Sequence, residues 1–426
     1  VPAYWIFGRS KFRGYVSARQ SKDSRLRAEL DAMRANTASL ESPLHDDYGQ
    51  VRAIERLAKM PFLSGNTVDL LIDGERTFES IFAGIAEATE YVLVQFFIIN
   101  DDELGRRLAD AMMERCSAGV RVHLLYDEIG SHKLPKAYLR RLSNAGVQVR
   151  SFHSSRGRGN RFQLNFRNHR KVVVVDGQAG WVGGHNVGDE YLGKNPKFGP
   201  WRDTHIKLAG PAVLGLQLSF VEDWHWATDE SLDLTWTPHR PEGGDRDVIV
   251  LPSGPADSVE TASLMFQQAI HAARNRVWIA SPYFVPDEGV RAALQLAAIR
   301  GVDVRVLIPN KPDHLLVYLS AFSFLGEMID GGVKIFRYEP GFLHEKVILV
   351  DDYAAGVGTA NLDNRSFRLN FEITAITLNH GFASEVEAMF LADFARARCM
   401  TSDELAAKRW YFRLASRLAH LLAPIQ

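Results

Sequence analysis

One short pattern occurs twice in the sequence, and this repetition limits the possible folds more than any other feature. Each copy combines histidine, lysine, aspartate, glycine and asparagine at offsets of 0, 2, 7, 14 and 17. The first copy, NHRKVVVVDGQAGWVGGHN, places them at His169, Lys171, Asp176, Gly183 and Asn186. The second copy, LHEKVILVDDYAAGVGTAN, places them at His344, Lys346, Asp351, Gly358 and Asn361. Two matches in register indicate an internal duplication, which predicts two similar structural units.

The sequence around the two copies supports the duplication. GVRVHLLYDE (119–128) is similar to GVDVRVLIPN (301–310), and QFFIINDDE (95–103) aligns with SPYFVPDEG (281–289). In each unit short apolar runs typical of buried strands alternate with segments of helical period. This alternation predicts an α/β fold of two similar α/β halves related by a pseudo-two-fold axis, each a mixed sheet flanked by helices.

We expect five segments along the chain. The two α/β domains are predicted at 61–236 and 248–400, joined by a linker at 237–247 that is rich in proline and glycine. A membrane-proximal segment and linker is expected at 1–60, and an amphipathic helix at 401–426.

Charge and cysteine content exclude several classes of protein. Lys and Arg total 50 against 51 for Asp and Glu, which gives a formal net charge of -1 and argues against a nucleic-acid-binding function. The two cysteines, Cys116 and Cys399, are too few for a disulfide framework or a four-cysteine zinc site.

The spacing of the repeated pattern indicates how its side chains are directed. His169 and Lys171 are two residues apart at the start of a predicted strand, so they point to the same side, and Asp176 points to the other. The same holds for the second copy, and we therefore expect both aspartates to brace the local structure. Two histidines, two lysines and two asparagines meeting at the pseudo-two-fold axis would suit a phosphodiester, with imidazoles as nucleophile and general acid.

The duplicated pattern resembles that of the phospholipase D superfamily, and the resemblance covers the chain from about Val68 to Cys399. It implies that 61–236 and 248–400 are phospholipase D-like domains. It also implies a covalent phosphohistidine, with neither a metal nor another cofactor required. The family places a carboxylate behind each histidine to orient the ring. The matching candidates are Asp203, 34 residues after His169, and Glu372, 28 residues after His344.

Within the superfamily, four segments resemble bacterial cardiolipin synthases: GGHNVGDEYLG, FGPWRDTHIKLAGPAV, PGFLHEKVILVD and GTANLDNRSFRLNFE. The resemblance implies phosphatidylglycerol as both donor and acceptor, with cardiolipin and glycerol as products of a phosphatidyl-histidine intermediate. His169 is then the nucleophile and His344 the acid. A hydrolytic phospholipase D that yields phosphatidic acid is the main alternative. The net charge counts against a superfamily nuclease, and the two complete motifs count against a non-enzymatic scaffold.

Several segments suggest a membrane. Val1 to Phe7 is apolar and aromatic and precedes three basic residues, as at the cytoplasmic end of a membrane helix. We therefore expect the bacterial inner membrane, with the catalytic part on the cytoplasmic side, and an anionic lipid surface as partner. An oligomer is possible.

His185 and His205 are further candidates to line the pocket. The stretch 151–171 is basic and contains no acid, so it is a candidate to meet anionic headgroups through Arg156, Arg158, Arg161, Arg167 and Arg170.

Overall fold

The computed structural model describes residues 24–43, 49–152, 166–311 and 313–421. The helices are α1 Ser24–Thr37, α2 Gln50–Ala58, α3 Asp73–Glu87, α4 Glu103–Ser117, α5 Lys136–Asn144, α6 Val213–Thr228, α7 Thr261–Ala272, α8 Glu288–Ile299, α9 Leu315–Asp330, α10 Asn364–Arg368, α11 His380–Phe394, α12 Ser402–Ala406 and α13 Trp410–His420. The strands of the first half are β1 Leu63–Ile72, β2 Tyr91–Phe96, β3 Arg121–Asp127, β4 Gln148–Phe152, β5 Arg167–Asn168, β6 Val172–Val175, β7 Ala179–Gly183, β8 Trp201–Arg202 and β9 Thr204–Ala209. Those of the second half are β10 Arg246–Ser253, β11 Arg276–Ala280, β12 Phe284–Val285, β13 Asp303–Pro309, β14 Lys334–Tyr338, β15 Phe342–Leu343, β16 Val347–Val350, β17 Ala354–Gly358, β18 Leu362–Asp363, β19 Asn370–Leu378 and β20 Ala397–Cys399.

The strand order confirms the predicted duplication. Counted outward from the centre, the first half runs β1-β9-β7-β6-β2-β3-β4 and the second runs β10-β19-β17-β16-β11-β13-β14-β20. Strands with the same place in the two series have the same place in the repeat, and β1 pairs antiparallel with β10 where the halves meet. Each half is a mixed sheet, because β2, β3 and β4 run parallel while β6 and β7 form an antiparallel hairpin.

The helices cover the sheets as their apolar faces require. Phe78, Ile81 and Ile85 share one face of α3 and are buried in the outer core of the first half. Helices α4 and α8 begin at equivalent places and are each capped by an aspartate, Asp102 and Asp287, that accepts a backbone N–H. A central core between the two halves contains α6, α11 and the inner faces of both sheets, so neither half buries its apolar surface alone.

The two halves also exchange short strands beside their histidines. β5, just before His169, pairs in parallel with the start of β19 in the second half. β15, just before His344, pairs in parallel with β8 in the first half. The backbone N–H of His169 donates to Phe371 O at 2.9 Å, and that of His344 donates to Arg202 O at 2.8 Å. Each histidine is therefore fixed to the half that does not contain it.

The segments outside the repeat are only partly described. Helix α2 lies within the predicted 1–60 linker, yet Ile54 and Ala58 are buried in the outer core of the second half. Residues 1–13, which carry the predicted membrane exit, lie outside the described residues, as do Arg156, Arg158 and Arg161. Within the described ranges, no helix is long and apolar enough to cross a bilayer.

Candidate active site

Each histidine of the repeated pattern is held by a buried carboxylate from the opposite half. His169 Nδ1 lies 2.9 Å from Glu372 Oε2, and His344 Nδ1 lies 2.7 Å from Asp203 Oδ2. The predicted pairing of Asp203 with His169 and of Glu372 with His344 is therefore wrong. The carboxylates are the predicted ones, but the strand exchange places each beside the other histidine. In both pairs Nδ1–H donates to the carboxylate, which leaves the Nε2 lone pair available.

The two carboxylates have different surroundings. Glu372 accepts three further hydrogen bonds from side chains, from Thr359 Oγ1 at 2.6 Å, Ser366 Oγ at 2.9 Å and Asn370 Nδ2 at 3.1 Å. Asp203 accepts one from the backbone N–H of Thr204 at 2.8 Å and a long one from Trp201 Nε1 at 3.5 Å. None of these neutral donors was anticipated from the sequence, since neither their spacing nor their type differs from that of ordinary loop residues.

Burial controls the protonation of both histidines. It lowers the pKa of His169 to about 4 and that of His344 to about 4, against the opposing effect of the paired carboxylate. Burial alone would raise the pKa of Asp203 and of Glu372, but the neighbouring histidines and lysines hold both below their usual values. At neutral pH the free protein therefore holds two neutral imidazoles and two carboxylates in this site.

The two lysines lie beside the histidines, as their spacing predicts. Lys171 Nζ donates to His169 O at 2.6 Å, and Lys346 Nζ donates to His344 O. Both are buried, which lowers the pKa of Lys346 to about 8 and that of Lys171 well below its usual value. Lys346 also lowers the pKa of His169 and Lys171 that of His344, so the four groups share one electrostatic environment.

The two asparagines are buried close to this cluster. Asn186 Oδ1 accepts from the backbone N–H of Ile98 at 3.1 Å, which fixes the direction of its Nδ2. Asn361 donates its backbone N–H to Ser366 Oγ, which in turn donates to Glu372. Asn186 is 2% exposed and Asn361 4%, so both side chains are held within the protein.

The two aspartates of the pattern point away from the histidines, as their position on the strands predicts. Asp176 accepts from the backbone N–H groups of Thr89, Glu90 and Tyr91 at 2.7 to 2.9 Å. Asp351 accepts equivalent bonds from residues 274–276 at 2.8 to 3.0 Å. Both aspartates have a positive φ, 52° and 51°, at the turn that joins the two strands of the hairpin. They brace the hairpin and do not contact the histidines.

Arg170 does not face an external anion, contrary to the sequence-based expectation. It is 3% exposed, and its Nη1 lies 2.9 Å from Asp223 Oδ2. The equivalent residue in the second copy is Glu345, which is bound at 2.5 Å by Nη2 of Arg202 from the first half. Arg202 also binds Asp393 at 2.7 Å. Sequence reasoning missed this second network, because its members lie far apart along the chain.

His185 and His205 lie below the surface of the site as a buried pair. Their Nδ1 atoms are 3.2 Å apart, and burial lowers the pKa of His185 to about 4. The charge of Asp203 acts on both rings. Among the described residues no group of three or more His, Cys, Asp and Glu side chains has a geometry suited to a metal ion.

Taken together, the site offers two oriented nucleophilic or acid–base nitrogens, two lysines and two amides in a largely dehydrated pocket. Such an arrangement suits in-line displacement at the phosphorus of a phosphodiester, in which one imidazole attacks and the other protonates the leaving oxygen. Because the two halves are similar, the same groups can also catalyse the second displacement, in which another alcohol attacks the phosphorus and releases the histidine.

This chain is similar to known proteins in both sequence and fold. The family model described as cardiolipin synthase, phospholipase D-like domain, matches residues 81–196 and 266–394. A curated relative from Pseudomonas fluorescens, named cardiolipin synthase A, is 50% identical over 99% of this chain and 88% of its own length. A relative of the same name from Pseudomonas entomophila is 51% identical over the same shares.

Among solved structures, the phosphatidylserine synthase of Haemophilus influenzae Rd KW20 matches with a TM-score of 0.70 at 15% identity. The match covers 88% of this chain and 100% of that one. At this identity the likeness concerns the fold, which it confirms across both halves.

Proposed function

We propose a mechanism from the premise that the chain belongs to the cardiolipin synthase family of phospholipase D-like proteins. The chain is accordingly an enzyme, a phosphatidyltransferase that forms cardiolipin from phospholipid substrates. The observation that supports a mechanism is the pair of histidines, each held at Nδ1 by a buried carboxylate of the opposite half.

In the first step, the Nε2 lone pair of His169 attacks the phosphorus of phosphatidylglycerol. His344 first takes up a proton at Nε2 when the anionic phosphodiester binds. A P–N bond then forms, the P–O bond to glycerol breaks, and the His344 imidazolium gives its Nε2 proton to the departing oxygen. Lys171, Lys346 and the amides of Asn186 and Asn361 stabilise the negative charge on the phosphoryl oxygens. The products of this step are glycerol and phosphatidyl-His169.

In the second step, neutral His344 removes the proton from a hydroxyl of a second phosphatidylglycerol. The resulting oxygen attacks phosphorus, the P–N bond to His169 breaks, and cardiolipin is released. A phosphodiester is exchanged for a phosphodiester, so the scheme consumes no nucleotide and assigns no step to a metal. Lysines and amides supply the positive field that a divalent ion supplies in other phosphoryl-transfer sites.

The place of action that we propose is the cytoplasmic side of a bacterial inner membrane, on an anionic lipid surface. The near-zero net charge does not favour nucleic acid as a partner. Basic residues after Glu404 and the apolar sequence before residue 13 are consistent with a lipid surface.

Incubation with vesicles that contain phosphatidylglycerol tests the proposal. Mass spectrometry should find cardiolipin and free glycerol in equal amounts. Phosphatidic acid as the main product would instead indicate the hydrolytic alternative. The matched control is His169→Asn, which keeps the ring's approximate volume and removes the nucleophile, and which should yield neither product.

A further inference from the structure

The last helix, α13, presents an apolar surface to solvent. On its outer side lie Trp410, Leu414, Leu418 and Leu421, with exposed fractions of 69%, 49%, 57% and 73%. Their spacing of 4, 4 and 3 residues puts them on one face of the helix. We call this surface the C-terminal apolar face. A tryptophan exposed to this extent is unusual for a protein surface in contact with water alone.

The C-terminal apolar face does not hold the helix in place. The opposite side of α13 packs against α9, where the rings of Phe412 and Phe322 meet edge to face at 5.1 Å. His420 Nδ1 lies 2.9 Å from Ser323 Oγ on the same side. The helix is therefore docked on the second half through one side, and its other side is exposed in the described part of the chain.

Charge next to the apolar face identifies the kind of partner. Arg413 and Arg417 are exposed and lie along one edge of the face, and Lys408 and Arg409 directly precede the helix. After Glu404 the chain contains no acidic residue up to Gln426. Apolar side chains bordered by arginines match the interfacial region of a bilayer with anionic headgroups, where tryptophan is favoured.

A second copy of the chain fits this surface less well. In a two-fold dimer the same patch meets itself, so arginines at the edge of one face would approach those of its partner. Like charges brought together in this way oppose association, whereas a negatively charged lipid surface attracts them.

The helix beneath the apolar face begins next to the candidate active site. α9 starts just after Asp313, whose carboxylate accepts the hydroxyl hydrogen of Tyr283 and whose charge acts on Lys346. Leu315 and Leu316, in the first turn of α9, are 66% and 45% exposed. One helix therefore connects the apolar surface to the neighbourhood of the catalytic lysine.

We propose that the C-terminal apolar face, with Arg413 and Arg417, docks on an anionic phospholipid surface and holds the second half against it. The proposal rests on the proposed function only in that the substrate is a lipid. Docking through α13 would place the start of α9, and the pocket behind it, within reach of membrane lipids.

Fluorescence of Trp410 reports directly on this contact. The six other described tryptophans are buried, and Trp5, which lies outside the described residues, is replaced in a Trp5→Phe background. Vesicles of phosphatidylglycerol and phosphatidylcholine should shift the Trp410 emission to shorter wavelength, and added salt should reduce the effect. Phosphatidylcholine alone should give little or no shift.

Two variants and two matched controls identify the residues responsible. Arg413→Gln with Arg417→Gln should raise the lipid concentration that gives half of the Trp410 shift by roughly thirtyfold at low salt, at about fivefold per charge. Leu414→Asp with Leu418→Asp should abolish the shift. The controls change equally exposed residues elsewhere: Lys133→Gln with Lys136→Gln, and Leu296→Asp with Ile299→Asp on α8. Neither control should alter the shift.

Three results would overturn the proposal: an equal shift with neutral vesicles, no shift with anionic ones, or a shift that appears without vesicles as protein concentration rises. The last would identify a second copy as the partner.

Turnover of bis(p-nitrophenyl) phosphate, a soluble diester, tests the proposed function independently of the docking surface. A chain that turns over neither the soluble diester nor phosphatidylglycerol, yet shows the shift, would retain the docking surface and refute the function.

Discussion

At the scale of single residues, the two histidines differ in what surrounds their carboxylates. Glu372 receives neutral hydroxyl and amide donors besides His169, whereas Asp203 has fewer neutral donors and lies close to the buried pair His185 and His205. Glu372 is thus a buried carboxylate whose negative charge is stabilised by hydrogen bonds from His169, Thr359, Ser366 and Asn370. It favours a neutral His169 with Nδ1–H fixed towards the carboxylate, as a nucleophile requires.

A substrate whose leaving group needs no proton distinguishes the role of Asp203 from that of Glu372. With a p-nitrophenyl phosphodiester, Asp203→Asn should keep a rapid burst of one nitrophenolate per enzyme and lose later turnover, because only His344 is impaired. Glu372→Gln should slow the burst itself, by roughly 10²–10⁴-fold, because the nucleophile loses its orientation. Stopped-flow absorbance measures both phases.

Thermal unfolding of the two variants provides the control that each is folded at the assay temperature. The opposite pattern, with the burst lost in Asp203→Asn and kept in Glu372→Gln, would exchange the roles of His169 and His344.

The lowered pKa values predict that anion binding takes up protons. At pH 7 both histidines, with a pKa of about 4, are neutral in the free protein, and a bound anion favours their protonated forms. Binding of sulfate should therefore consume about one proton per anion, measured by titration calorimetry in buffers of different ionisation enthalpy. Uptake should decrease towards pH 4, where the free histidines already carry protons.

His344→Asn and Lys171→Met show which group accepts the proton. A smaller uptake in one variant assigns the proton to that residue. Sulfate binding without proton uptake in the unaltered protein would contradict the neutral state of both histidines in the free protein.

The identity of the site residues could be predicted from the sequence, but their partners could not. The local spacing of His169 and Lys171 on a strand determines that both face the pocket. Which carboxylate binds His169 depends instead on the pairing of β5 with β19, and a two-residue strand has no recognisable pattern. Proximity in sequence favoured Asp203, 34 residues away, over Glu372, 203 residues away.

At the scale of elements, the hairpins β6–β7 and β16–β17 each depend on one aspartate at their turn. Asp351→Ala removes three backbone hydrogen bonds and puts alanine at a φ of 51°. We expect a loss of about 2–4 kcal/mol in the free energy of unfolding. Asp351→Asn, which tolerates this conformation, should lose less.

Urea denaturation measures the loss, and Asp352→Ala is the matched control because this neighbouring side chain is exposed. The turnover number of the folded protein should stay the same in all three variants. A large fall in turnover without a loss of stability would mean that Asp351 acts in the chemistry and not in the hairpin.

The regular elements and the direction of Asp351 could both be predicted, because each depends on the local sequence pattern of one strand or helix. Strand β2 is a continuous apolar run that is buried on both faces, and helices α3, α4 and α8 bury one face each. The burial of α2 on the second half could not be predicted. An amphipathic sequence shows that one face of the helix is buried, but it does not identify the surface against which that face packs.

At the scale of the whole molecule, Arg202 links the two halves through charges that are buried. It belongs to the first half and binds Glu345 and Asp393 of the second. Burial raises the pKa of Glu345 to about 8, although Arg202 opposes this change. Removal of the guanidinium would leave two carboxyl groups buried without their cation.

Arg202→Met should therefore destabilise the protein by about 3–5 kcal/mol at pH 8. The loss should be smaller at pH 5, because Glu345, whose pKa burial raises to about 8, is then protonated and no longer needs a cation. Calorimetry at the two pH values, with the unaltered protein as reference, measures both. Arg202→Met combined with Glu345→Gln should recover part of the stability, and an equal loss at both pH values would contradict this account.

The exchange of short strands has a consequence for how such a gene can change. Each histidine and its carboxylate are encoded in different halves, so a crossover between α6 and β10 would separate both pairs at once. Chimaeras that join the first half of one relative to the second half of another would test the fit of two His–carboxylate contacts in a single protein. We therefore expect that neither half alone can form a complete His–carboxylate pair, although their folds are alike.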